Sequence, residues 1–222
     1  MDITAINDSS DIRCLDRRGN LIRPEGQKGS AMKEFETLKK LLLALIQYYL
    51  DNGYYYCQLI NYPQKKIDKW QLIDKKLSDK FGLELNKGQR AYKKRKKQAN
   101  AIGLRYKGIC LILHTYGSNE WDEGFINLKE RTLTIPTGTV VTIDLSIKDS
   151  KGKIKFNKRS YQDLKEIVKD FAKNTSTWKQ KNELEKIRHL PAVRRQMHRQ
   201  KEHLFELYQK ECRRHGKKPY TL

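Results

Sequence analysis

Apolar residues recur along this chain at two periods, and the period changes near the middle. Between 31 and 51, Phe35, Leu38, Leu42, Leu45, Ile46 and Tyr49 fall at the spacing of one helix face. Asn52-Gly53 supplies the stop for a helix over 31–51. YYYCQLINY at 54–62 is aromatic and β-prone, and Pro63 closes it, so a short strand is expected there. Helical spacing returns at 65–80 with Ile67, Trp70, Ile73 (or Leu72) and Leu77, and Gly82 ends it. A third helix is expected at 87–101. Leu85, Tyr92, Ala99 and Ile102 give it one narrow apolar seam, and the rest of its surface is mostly basic or polar. These last two helices read as a helix-turn-helix-like pair.

The middle of the chain reads differently. GICLILHTYG (108–117), RTLTIPTG (131–138), TVVTIDLSIKD (139–149) and KIKFNK (153–158) are expected as strands, with a turn over Asp149 to Gly152 joining the last two. Thr132, Thr134, Thr142 and Ser146 alternate with apolar neighbours, as in a sheet with one wet face. Helical spacing then resumes. Ser160 and Asp163 resemble a capping box ahead of Leu164, Ile167, Val168 and Phe171. A polar helix is expected at 176–189, interrupted by Pro191. A last helix, 192–212, should bury Val193, Met197, Leu204 and Tyr208. Residues 1–30 are polar and read as an arm, or as a short hairpin around Arg18-Gly19-Asn20. The expectation is an α+β protein: a basic helical N-terminal half, a small central antiparallel sheet and a helical C-terminal segment. It divides at 1–30, 31–107 and 108–222.

Charge sharpens this picture. The chain has 222 residues and a formal net charge of +21, which disfavours compactness unless an anionic partner relieves it. The charge is concentrated in two blocks. Residues 63–108 hold 15 Lys and Arg against 4 Asp and Glu, a net of +11, and residues 151–222 hold 21 against 8, a net of +13. The remainder therefore sums to −3, so two basic blocks flank a nearly neutral middle. Nucleic acid is the partner class this implies. On 87–101, Lys87, Arg90, Lys94 and Lys97 fall on one helical face, a row suited to a phosphate backbone. Lys93, Arg95 and Arg105 extend that block, and Arg195, Arg199, Arg213 and Arg214 form a second cluster. Lys outnumbers Arg in 90–97, which favours contacts to phosphates over readout of bases. Tyr54, Tyr55 and Tyr56, together with Tyr106 and Tyr116, are candidates for stacking on bases.

Chemistry is less legible. The P-loop, H-E-x-x-H and G-x-S-x-G patterns are absent from the sequence. Cys14, Cys57, Cys110 and Cys212 are isolated, which argues against a zinc finger and fits a reducing compartment. Two groups of carboxylates remain. Glu120, Asp122 and Glu123 form an acidic island after His114, a pattern that nucleases use to hold Mg²⁺. Asp144 lies in VVTIDLSIKD, which resembles the first acidic strand of RuvC-type nucleases, with Ser146 where those have glycine. The later acidic motifs and zinc cysteines of that family are not found.

No apolar run approaches a membrane span, and no secretory leader opens the chain. The reading is an intracellular, cytoplasmic nucleic-acid-binding protein that makes phosphate contacts, with DNA favoured over RNA. It is expected to need no cofactor and to act in replication, mobility or defence of genetic elements, within a larger nucleoprotein assembly. The alternatives are a Mg²⁺-dependent nuclease and an RNA-binding subunit of a ribonucleoprotein.

Overall fold

The computed structural model describes residues 32–121, 123–137, 141–149, 151–174 and 177–220. The expected arm at 1–30, Cys14 and Asp122 lie outside them. The fold is α+β. A five-stranded mixed sheet in the order β1-β3-β4-β2-β5 is built from β1 (Met32–Glu34), β2 (Tyr56–Asn61), β3 (Ala101–Tyr106), β4 (Ile109–His114) and β5 (Ile126–Asn127). A three-stranded antiparallel sheet follows, from β6 (Leu133–Pro136), β7 (Thr142–Lys148) and β8 (Lys151–Phe156). The helices are α1 (Leu38–Ala44), α2 (Trp70–Phe81), α3 (Lys87–Arg95), α4 (Lys158–Asn174), α5 (Thr177–Arg188) and α6 (Arg195–Arg214).

The run ICLIL explains the layering. It forms the body of β4, and every residue of that strand is buried. Ile109, Leu111 and Leu113 face the main core with α1, while Cys110 and Ile112 face a second cluster with Trp70 and Phe81 of α2. A strand covered on both faces reads as a continuous apolar run, whereas a half-wet strand alternates. β8 shows the alternating case: Gly152, Ile154 and Phe156 are buried, and Lys151, Lys153 and Lys155 are exposed. The main core continues from α1 through the second sheet to Leu164, Val168 and Phe171 of α4 and Met197, Leu204 and Tyr208 of α6.

Several expectations are corrected. The helix expected from 31 starts only at Leu38, capped by Thr37, whose hydroxyl accepts from Lys40 N at 3.2 Å. Residues 32–34 instead form β1, paired in parallel with β3 at Met32↔Gly103. The helix expected at 87–101 ends at Arg95; a turn and an isolated bridge at Gln98 follow, and β3 begins at Ala101. β3 and β4 pair from Tyr106↔Ile109 inward, so a boundary at 107/108 falls in the turn of a hairpin. The other hairpin turns between Lys148 and Lys151, so Gly152 is a strand residue paired with Ile147. A Cβ there would lie 2.7 Å from Leu50 Cδ1, and the glycine lets the short helical turn Leu50–Asn52, which follows α1, pack against the second sheet. Ser160 lies inside α4, where its Oγ accepts from Thr142 N at 3.1 Å. The cap is Asn157, whose Oδ1 accepts from Arg159 N at 3.0 Å.

Among the described residues, no helix is long and apolar enough to cross a membrane.

Candidate nucleic-acid interface

α3 contains no buried residue, so an apolar stripe does not hold it to the protein. It begins with a capping box: Asn86 Oδ1 accepts from Gln89 N, and Gln89 Oε1 accepts from Asn86 N, both at 2.9 Å. Arg90 then ties the helix down. Its guanidinium donates to three carbonyls: Leu85 O at 3.0 Å, Ala101 O at 2.7 Å and Leu83 O at 2.9 Å. Those carbonyls belong to the α2–α3 connector and to the start of β3. The Arg90 carbonyl in turn accepts from Asn100 Nδ2 at 3.1 Å. Burial, and next the nearby charge of Arg90, lower the pKa of the Lys33 ammonium on β1. Arg90 therefore faces the protein, and Tyr92, expected on the apolar seam, is 54% exposed. The helix presents the face opposite to the one the seam implies.

The remaining α3 cations divide by what they touch. Lys87, Lys94, Arg95, Lys96 and Lys97 are exposed, and none is ion-paired with a described residue. Lys93 is half-buried, with Nζ 5.6 Å from the centre of the Trp121 ring. Arg105 is taken inside. Only 8% of its side chain is exposed, with Glu34 at 2.7 Å and Asp74 at 3.2 Å, and its guanidinium lies 5.6 Å from the Trp70 ring centre. It holds β1 and α2 to the sheet and has no free fork for a phosphate.

Beside the end of α3 lies the loop 115–118. Ser118 N donates to Lys97 O at 3.0 Å, Ala99 N to Ser118 O at 3.1 Å, and Thr115 N to Asn100 O at 3.0 Å. Asn100 N donates to the Thr115 hydroxyl at 3.0 Å. Tyr116 projects from this pinned loop and is 84% exposed. Gly117 makes the close approach possible. Its φ is 148°, and a Cβ there would meet backbone atoms: Ala99 N at 2.5 Å, Gln98 C at 2.6 Å and Lys97 O at 2.8 Å. Backbone on both sides cannot yield as a side-chain tip can. Gly117→Ala is expected to cost roughly 2–3 kcal/mol of stability in urea unfolding and to release the loop from the end of α3.

The second basic block is organised differently. Arg195 and Arg199 are exposed near the start of α6, and Arg213 and Arg214 at its far end. Eighteen helical residues separate Arg195 from Arg213, about 27 Å, so the four do not make one cluster. Four cations here face a glutamate: Lys169 with Glu166, Lys186 with Glu183, Arg188 with Glu185 and Arg214 with Glu211. An open cavity of about 840 Å³ between α4 and α5 is lined by Glu166, Asp170 and Glu183 as well as Lys179 and Lys186. Three carboxylates suit a polyanion poorly.

The catalytic candidates are dispersed. His114 is buried, stacked on Tyr56 at 4.6 Å between ring centres and edge-on to Phe125 at 4.5 Å, and its Nδ1 reaches the Thr115 carbonyl at 2.9 Å. It fills an aromatic box. Asp144 belongs to the other sheet, where its carboxylate accepts from Thr134 Oγ1 at 3.0 Å and Asn157 Nδ2 at 2.9 Å, joining β6, β7 and the cap of α4. Glu120 and Glu123 are exposed in the loop after β4. Among the described residues, no group of three His, Cys, Asp or Glu is placed to hold a metal.

Of the stacking candidates, Tyr54, Tyr55 and Tyr56 are half-buried against the main core, His114 or Lys129. Tyr106 is half-buried beside Lys107, and Tyr116 alone of the five stands open. Lys96 and Tyr92 are the members of this surface that sequence reasoning missed. Tyr92 lies on α3 and Lys96 caps its C-terminal end, on a helix that Arg90 anchors inward.

The fold and surface thus define an α+β protein whose basic helix α3 presents exposed cations, without an ion-pair partner among the described residues, beside a pinned aromatic loop. The chain matches no protein-family model, no curated protein and no solved structure.

Proposed function

We propose that this protein binds nucleic acid, DNA in preference to RNA, through phosphate contacts from the exposed face and C-terminal end of α3. The observation that carries this reading is that Lys87, Lys94, Arg95, Lys96 and Lys97 are exposed without an ion-pair partner among the described residues, whereas Lys169, Lys186 and Arg188 of α4 and α5 each face a glutamate. Unpaired like charges this close repel one another, and a polyanion relieves them. Lys97 adds support. It occupies the left-handed position that closes α3, with φ 56°, and Gln98 N reaches back to Lys93 O at 2.9 Å. Glycine is the usual residue in that motif, and a lysine there costs on the order of 1 kcal/mol.

The test is a binding titration across salt. With about five phosphates neutralised, log K should fall against log salt with a slope near −4.5 on duplex or −3.5 on single strands. A slope near zero on every DNA and RNA tested overturns the reading.

A further inference from the structure

We infer that the surface formed by the end of α3 and the loop 115–118 takes single-stranded nucleic acid, with unpaired bases stacked on Tyr116 and Tyr92. This rests on the proposed function and names its substrate class. Two independent features meet here. The first is the run Lys94 to Lys97, exposed and without an ion-pair partner among the described residues, which supplies phosphate neutralisation. The second is a pair of aromatic rings left in water, 84% exposed at Tyr116 and 54% at Tyr92.

The presentation of Tyr116 is what makes the exposure informative. Elsewhere in this chain tyrosines are built in: Tyr62 donates to Asp74 at 2.7 Å, Tyr208 to Gln180 at 2.8 Å and Tyr161 to the Gln200 carbonyl at 3.1 Å. Tyr116 instead stands at the tip of a loop fixed on both sides. Bonds from Thr115 and Ser118 tie it to residues 97–100, and Gly117 allows the backbones to meet. A ring held out by an ordered backbone loses little freedom when it binds. The same backbone bonds attach it to Lys97, so base-stacking and phosphate-binding groups share one rigid unit. Tyr92 sits on the exposed face of α3 with Lys96 Nζ 5.9 Å from its ring centre, again an aromatic face beside a cation.

Duplex nucleic acid hides the faces of its bases, so exposed rings find no partner there. A single strand offers both a base face and a phosphate at each nucleotide, and ring stacking is tolerant of sequence. Four of the five exposed cations here are lysines, and Arg95 alone offers the forked donor that reads base edges in a groove.

The experiment measures binding of labelled single-stranded DNA, single-stranded RNA, the matching duplexes and an abasic single strand. It compares wild type with Tyr92→Ala/Tyr116→Ala and with Tyr116→Phe. The expected result is tighter binding of single strands than of duplex. The double alanine variant should lose at least about fivefold per ring on single strands. Its affinity for the abasic strand and its salt slope should be unchanged, and Tyr116→Phe should bind as wild type does. Both tyrosines are exposed, so the melting temperature should stay at the wild-type value. Salt-dependent binding that favours duplex, or that ignores loss of both rings, overturns this inference and leaves phosphate binding standing. No salt-dependent binding to any strand overturns both.

Discussion

Arg90→Ala is expected to lower the free energy of unfolding by about 3–4 kcal/mol, because three carbonyls lose a charged donor at once and a lost partner costs roughly 1–3 kcal/mol each, less where water reaches it. The three carbonyls belong to Leu83, Leu85 and Ala101, so the substitution frees the connector before α3 and the start of β3 together. α3 has no buried side chain to fall back on. Lys in place of Arg should recover little, since an ammonium cannot span three acceptors with the geometry of a planar fork. Urea unfolding of both variants checks this. If Arg90→Ala keeps wild-type stability and only weakens nucleic-acid binding, the guanidinium faces phosphate and the helix is turned the other way.

That contrast shows what the sequence could convey about this region. The supposed seam of Leu85, Tyr92, Ala99 and Ile102 has only Tyr92 inside the observed helix. Leu85 precedes it, and Ala99 and Ile102 follow it. Ala91 and Tyr92 are the helix's apolar residues, adjacent in sequence and both exposed, so it has no apolar face and its orientation is left to polar anchors that periodicity does not see. Arg90 was a visible exception, an arginine with lysines at 87, 93 and 94 around it, but its acceptors are backbone atoms brought in by the fold. Arg105 was hidden for a related reason. It reads as part of a basic turn, yet Glu34 lies far away in sequence and reaches it only because β1 pairs with β3.

Local signals served better. The all-apolar run of β4 reported a strand covered on both faces, and the alternation in β8 reported one wet face. The helical spacings of Leu164, Val168 and Phe171 and of Met197, Leu204 and Tyr208 placed two core-facing helices. β1 was not legible because Met32, Phe35 and Leu38 also fit helical spacing, and parallel pairing with a distant strand decides between the two readings. The aromatic part of the candidate surface was half legible. Tyr116 could be named beside its glycine, but only the bonds to residues 97–100 show that its loop is held against the end of α3.

Lys94→Gln/Lys96→Gln/Lys97→Gln is the counterpart of the Arg90 variant, with the effects reversed. These three ammonium groups are exposed and have no ion-pair partner among the described residues, so removing their charge should move stability by no more than about 0.5 kcal/mol. Glutamine keeps much of the side-chain length, and at 94, the one of the three positions inside α3, it is a good helix former. Binding should fall sharply instead. At about 1 kcal/mol for each charge placed near a phosphate in water, the loss is roughly a hundredfold at low salt. The slope of log K against log salt should shrink by about 2 on single strands and by nearly 3 on duplex. Loss of binding should be uniform across sequences, because phosphates carry no base identity. The same three changes made at Lys165, Lys169 and Lys186, on α4 and α5, control for net charge, since they remove as much positive charge from helices where Lys169 and Lys186 already face glutamates. If that control weakens binding and shrinks the slope as much as the α3 variant does, the interaction answers to the total charge of the protein and α3 is not its site. If only the α3 variant does so, the exposed lysines at the end of that helix carry the contact.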